Sequence, residues 1–138
     1  MQDVSYLTNE KLKLSSNEID ISNSDIYIIT VPTPVDKNNK PDLNPIILAS
    51  RLVGKYLIKS NIVVYESTVF PGCTEEVCVP ILEESSGLVY NEEFFCGYSP
   101  ERINPGDKEH TLTKIKKITS GSNDETCLLY TSDAADEL

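Results

Sequence analysis

Asp25-Ile26-Tyr27-Ile28-Ile29-Thr30-Val31-Pro32-Thr33-Pro34 is the stretch that decides the fold. Its apolar residues run almost without alternation for the length of one strand. That pattern belongs to a strand buried on both faces of a parallel sheet. Pro32 and Pro34 stop the strand, because neither has an N–H to give to a ladder. Thr33 is held between two residues of fixed φ, so its hydroxyl is rigidly presented beyond the strand end. The tetrapeptide alone fits a stiff loop exit as well as it fits a ligand contact.

Reading onward, a polar loop (Asp36-Lys37-Asn38-Asn39-Lys40) gives way to Ile46, Ile47, Ala49, Val53, Tyr56, Leu57 and Ile58 at helical spacing. Asn44 is the expected N-cap, with Pro45 at the first helical position. Asn61-Ile62-Val63-Val64-Tyr65 is a second strand. It runs into Glu66-Ser67-Thr68-Val69-Phe70-Pro71-Gly72, where polar residues and a Pro-Gly turn end it abruptly. A second helix follows, with Thr74 as its expected cap, Glu75 and Glu76 in its first turn, and Val77, Val79, Ile81 and Leu82 as its apolar face. Pro80 should kink or divide it, and Gly87 should end it. Phe94-Phe95-Cys96-Gly97-Tyr98 reads as a third strand and Ile115-Lys116-Lys117-Ile118-Thr119 as a short fourth. Strands alternating with helices predict βαβ units with right-handed crossovers. The fold class is therefore α/β, a Rossmann-like doubly wound parallel sheet.

Composition narrows the partners. The 138 residues carry a net charge of −10, the wrong sign for a phosphate backbone, so no nucleic-acid partner is expected. No run approaches the roughly 18 apolar residues of a membrane span, and nothing at the start reads as a signal peptide. Cys73, Cys78, Cys96 and Cys127 form no Cys-x-x-Cys pair, and His110 is the one histidine. No metal site is expected, and reduced, buried thiols predict a cytoplasmic protein. Cys73 stands at a helix start, where the dipole lowers a thiol pKa, although packing explains a small residue there equally well. Neither a Gly-rich phosphate loop nor a Ser-His-Asp order is present, which leaves hydrolase chemistry without support.

In such a sheet the strand ends converge at one edge, and ligands bind in the crevice beyond the carboxyl ends. Two polar groups arrive there from different strands. Thr68 follows the second strand, and once Thr74 caps the helix its hydroxyl is free to face the crevice. Glu101 follows Pro100 in Tyr98-Ser99-Pro100-Glu101-Arg102-Ile103-Asn104-Pro105-Gly106-Asp107. A hydroxyl and a carboxylate at one edge suit proton handling on a bound substrate. Arg102 offers a planar fork for a phosphate or carboxylate, but is equally suited to pair with Glu101 or Asp107. His110 lies in a polar loop and reads as a surface residue.

Taken in order, the segments at Asp25-Ile26-Tyr27-Ile28-Ile29-Thr30-Val31-Pro32-Thr33-Pro34-Val35-Asp36, at Val64 to Gly72, and at Gly97 to Asp107 resemble the UDP-glucose/GDP-mannose dehydrogenase family. The Tyr-Ser-Pro-Glu-Arg-Ile-Asn-Pro-Gly-Asp form is closest to the branch that oxidises UDP-N-acetylhexosamines for surface polysaccharides. The resemblance implies an NAD-binding domain, and oxidation of a UDP-sugar C6 hydroxyl to a uronate in two hydride transfers. It further implies cofactor contacts at Pro32, Thr33, Ser67 and Thr68. Catalytic roles at the water-activating centre would fall on Thr68 and Glu101, and sugar-nucleotide contacts on Glu101, Arg102, Ile103 and Asn104. A homo-oligomeric parent protein is also implied.

The family's Gly-x-Gly-x-x-Gly turn, its central lysine and asparagine, and its Gly-Gly-Ser-Cys nucleophile have no counterpart here, and Cys73, Cys78 and Cys96 do not inherit that role. Where some relatives carry a second glutamate, this chain has Pro105. These departures predict an internal fragment, truncated at both ends, with residues 1–126 forming part of the NAD-binding domain and no activity of its own. Residues 127–138 read as the translation of a transposase adapter from a sequencing library. Two other readings stand beside this one. A β-hydroxyacid dehydrogenase-like NAD domain is disfavoured by the Pro-Glu-Arg segment. An acidic α/β receiver or interaction module would need paired acids after the first strand, which are missing.

Overall fold

Two strand–helix–strand crossovers lay the apolar segments side by side in a computed structural model that describes residues 12–35, 37–100, 119–124 and 126–127. A short 3-10 turn (Glu18–Ile21), capped by the Asn17 side chain, leads into β1 (Ile26–Ile29). Helix α1 (Asn44–Gly54) connects it to β2 (Ile62–Tyr65). A π-helical turn (Thr74–Cys78) runs into α2 (Val79–Ser86), followed by β3 (Phe95–Tyr98) and a two-residue β4 (Ser120–Gly121). The order across the sheet is β1-β2-β3-β4. The first three strands are parallel and in register, with Ile29 opposite Tyr65 and Tyr65 opposite Tyr98. The sheet is Rossmann-like, as the sequence predicts.

Several expectations need correction. The fourth strand lies at Ser120–Gly121 and pairs with β3 antiparallel, so the sheet is mixed at that edge. Residues 115–118, where the sequence suggested it, fall outside the described residues. β1 is buried on one face rather than two. Tyr27 and Ile29 are buried, while Ile26 and Ile28 are 42% and 55% exposed. Side chains alternate across a strand, and Tyr27, Ile29, Val63, Tyr65 and Cys96 join Ile46, Val53, Val79 and Leu82 in one core under the helices. Among the described residues β1 is also the edge strand, and its opposite face is left largely open.

Neither predicted cap is used. Asn44 is already the first residue of α1, and the Asp42 carboxylate, two residues back, accepts the Asn44 N–H at 2.9 Å. Thr74 is buried, and the residue before it, Cys73, is already in helical conformation, whereas a capping residue needs extended backbone. Pro80 acts as expected. It lacks an N–H and crowds the carbonyl four residues back. The chain answers with a wide turn, in which the Val79 N–H reaches the Thr74 carbonyl. Pro80 then falls in the first turn of α2, where a missing donor costs least. Gly87 ends α2 in the left-handed conformation (φ 72°), its N–H on the Glu83 carbonyl. The two helices approach closely at Gly54, where a Cβ would lie 2.6 Å from that of Ser85.

Polar groups inside this layer are paired. Ser50 Oγ donates to the Ile46 carbonyl at 2.8 Å and lies 2.7 Å from the Tyr65 hydroxyl. Burial raises the Tyr65 pKa far above the ordinary phenol value.

Candidate functional site

Because β1, β2 and β3 are parallel and in register, their carboxyl ends reach one edge together. The Glu66 N–H donates to the Ile29 carbonyl and the Ser99 N–H to the Tyr65 carbonyl, both at 2.9 Å. The ladder thus runs one residue past each strand before the loops diverge. The loop after β1 folds back on itself through the Asp42 N–H to the Pro34 carbonyl (2.7 Å) and a bridge between Val35 and Pro41.

Each sequence-predicted site residue can be placed against this edge. Thr33 and Thr68 follow neighbouring strands, as expected. Thr33 is half-buried, and its hydroxyl oxygen is shielded from solvent without a hydrogen-bond partner. Pro32 is exposed beside it. Ser67 is buried, and its hydroxyl donates to the Val31 carbonyl at 2.6 Å, which ties the two loops together. The Ser67 proton is therefore committed to the fold, leaving its oxygen lone pairs for any ligand. Thr68 is exposed. Glu101, Arg102, Ile103 and Asn104 lie outside the described residues, so the structure places the β3 end up to Pro100 and no further.

The sequence reading passed over one group. Ser99, the first residue beyond β3, is fully buried, and its hydroxyl has no partner. A serine before Pro100 reads as a turn residue, and nothing in the local sequence distinguishes a paired hydroxyl from an orphan. Leaving a buried hydroxyl unpaired costs about 1–3 kcal/mol, so two such groups on one edge ask for an explanation.

The thiols are not part of this chemistry. Cys73, Cys78 and Cys96 are buried. Burial pushes the Cys78 thiol up to about 11, and it raises Cys73 and Cys96 as well. All three stay protonated near neutral pH, and the helix start does not activate Cys73. No group of three or more histidine, cysteine or acidic side chains able to hold a metal occurs among the described residues.

Two shallow cavities adjoin the edge. One, of about 140 Å³, lies between Glu75, Tyr90, Cys96, Tyr98 and Ser122. The other, of about 100 Å³, lies between Phe70, Gly72, Glu75, Tyr98 and Ser120. Both fall short of the roughly 300 Å³ from which small-molecule pockets begin. A dinucleotide would have to lie along the open edge itself. Rigid loops, a shielded and unpaired Thr33 hydroxyl, and carboxyl strand ends in register fit such a group there.

Comparison with known proteins points the same way. The model for the UDP-glucose/GDP-mannose dehydrogenase family, NAD binding domain, matches residues 4–137. The chain is 56% identical over 122 residues to a UDP-N-acetyl-D-glucosamine 6-dehydrogenase of Pseudomonas aeruginosa, covering 88% of this chain and 29% of that protein. It is 61% identical over 111 residues to the enzyme of the same name from Salmonella typhi, covering 80% of this chain and 26% of that one. The fold superposes on the solved UDP-D-ManNAc dehydrogenase of Pyrococcus horikoshii with a TM-score of 0.75 at 29% identity, covering 87% of this chain and 28% of that structure. The chain thus spans less than a third of the length of these relatives.

Proposed function

Because the chain belongs to the UDP-glucose/GDP-mannose dehydrogenase family, we propose that it forms part of the NAD-binding domain of a nucleotide-sugar 6-dehydrogenase. The substrate is UDP-N-acetyl-D-glucosamine, the sugar in the names of two relatives that are 56% and 61% identical to this chain. The reaction takes the C6 hydroxyl to a carboxylate in two hydride transfers, in the cytoplasm, within a homo-oligomeric parent that supplies surface polysaccharide synthesis.

The observation that carries this reading is the shared carboxyl edge of three parallel strands, with the Thr33 hydroxyl shielded there and unpaired. NAD, when bound, supplies the hydride acceptor. Pro32, Thr33, Ser67 and Thr68 would hold it. The Thr33 hydroxyl would give it a hydrogen bond, and the Ser67 tie to Val31 joins the two loops that would contact it. Thr68, exposed beside them, orders the attacking water. Glu101 accepts the proton that leaves as the C6–O bond gains double-bond character and later activates the water. Arg102, Ile103 and Asn104 line the sugar nucleotide.

The test is NADH formation by a full-length protein carrying this segment, with UDP-N-acetyl-D-glucosamine and UDP-N-acetyl-D-mannosamine offered separately. The reading expects turnover of the first with about two NADH released per sugar. Turnover of the mannosamine compound alone would replace the substrate, and turnover of neither would remove the function.

A further inference from the structure

We propose that Ser99 is a binding residue for the sugar nucleotide, its hydroxyl hydrogen-bonding a polar oxygen of the sugar. This rests on the dehydrogenase reading above, and it adds a residue to which that reading gives no role. Other buried or half-buried serines show what is unusual about Ser99. Ser50, Ser67 and Ser86 each donate to a main-chain carbonyl at 2.6–2.8 Å. Ser99 is as deeply buried as any of them, yet its hydroxyl has no partner. Packing alone would be served by alanine at less cost, since a shielded, unpaired hydroxyl is unfavourable.

The residue is also rigidly set. Its N–H is fixed to the Tyr65 carbonyl at 2.9 Å and Pro100 follows it. Side chains alternate along a strand, so Ser99 shares a face with Gly97, opposite Cys96 and the helices. Adjacent strands lie about 4.8 Å apart, which puts the β3 end roughly 10 Å along the edge from the β1 end. Hydride transfer needs donor and acceptor in contact at about 3–3.5 Å, so cofactor and sugar must lie side by side along this edge. With Thr33 on the cofactor at β1, the hydroxyl two strands away meets the sugar nucleotide.

Ser99→Ala in the full-length protein separates this role from a structural one. The expected result is about a tenfold rise in KM and Kd for UDP-N-acetyl-D-glucosamine, the size of one lost hydrogen bond. KM for NAD should stay unchanged, and the unfolding midpoint should hold or rise, because an unpaired polar group has been removed. Unchanged sugar affinity in an active enzyme overturns the assignment, as does a shift in the NAD constant alone. A lower midpoint with normal sugar affinity makes Ser99 structural. If the unmutated protein itself fails to bind the UDP-sugar, the dehydrogenase reading falls and takes this role with it.

Discussion

The two ends of one sheet are finished in opposite ways. At the amino end, Asn61 is buried and uses its whole side chain. Its carbonyl oxygen accepts from the Ile58 N–H at 2.8 Å, and its amide donates to the Ser24 and Asp25 carbonyls at 3.2 and 3.4 Å. Outside it, Lys59 and Glu93 pair at 2.7 Å, and the Ser60 N–H reaches the Glu93 carbonyl. At the carboxyl end Ser67 is tied, while Thr33 and Ser99 keep shielded hydroxyls without partners. Both ends come from the same strands, so strand chemistry does not account for the difference. The amino end closes the fold, and on the proposed function the unpaired hydroxyls of the carboxyl end are kept for a ligand.

That contrast predicts that changes at the carboxyl end act on turnover and affinity, and changes at the amino end on stability. The largest effect is expected for Glu101→Gln in the full-length protein, a fall in kcat of about 10²–10⁴-fold, typical of losing a general acid/base. Its unfolding midpoint should be unmoved. Full activity in this variant would take Glu101 out of the mechanism. Asn61→Leu should do the reverse. It removes the partner of the Ile58 N–H and of the Ser24 carbonyl in the part-buried amino end, at a cost of about 1 kcal/mol for each hydrogen bond lost. Denaturant titration should show the loss, and NADH formation under folding conditions should not. A variant with intact stability but impaired turnover would erase the distinction between the ends.

A smaller effect belongs to the layer between them. Cys78 is raised by burial to about 11 in the folded protein. The folded state therefore holds the thiol proton at pH values where the unfolded chain has released it. The contribution is complete below the ordinary thiol range and declines as pH rises from about 9 towards 11. Stability measured across that interval should fall less steeply in Cys78→Ala than in the unmutated protein, once the variant's lower starting value is allowed for. Equal slopes would show that another group governs the alkaline limit.

The sequence made the frame legible because the frame depends on local chemistry. Unbroken apolar runs, Pro32 and Pro34, Pro80 and Gly87 each act through their own backbone, and the strands, the divided helix and its end follow from them. The errors came where distant groups decide. Asn44 and Thr74 are good caps in isolation, but Asp42 takes the first role and the helical Cys73 displaces the second. The open face of β1 depends on which elements cover it, and β4 on a pairing with Tyr98 and Gly97 more than twenty residues earlier. At the carboxyl edge, the placement of Thr33 beyond the strand end was legible from its two prolines. Ser99 was not, since lacking a partner is a property of the folded surroundings and leaves no trace in a serine's neighbours along the chain.

The central claim is that the unpaired hydroxyls of the carboxyl edge serve bound ligands, and Thr33→Val tests it most directly. The substitution keeps the shape of the side chain and removes its hydroxyl. Calorimetric titration of the full-length protein with NAD should give a Kd raised about tenfold, the value of one hydrogen bond, together with an unfolding midpoint equal to or above that of the unmutated protein. An unchanged Kd with a lowered midpoint would contradict the account, because Thr33 would then be holding the fold and not the cofactor.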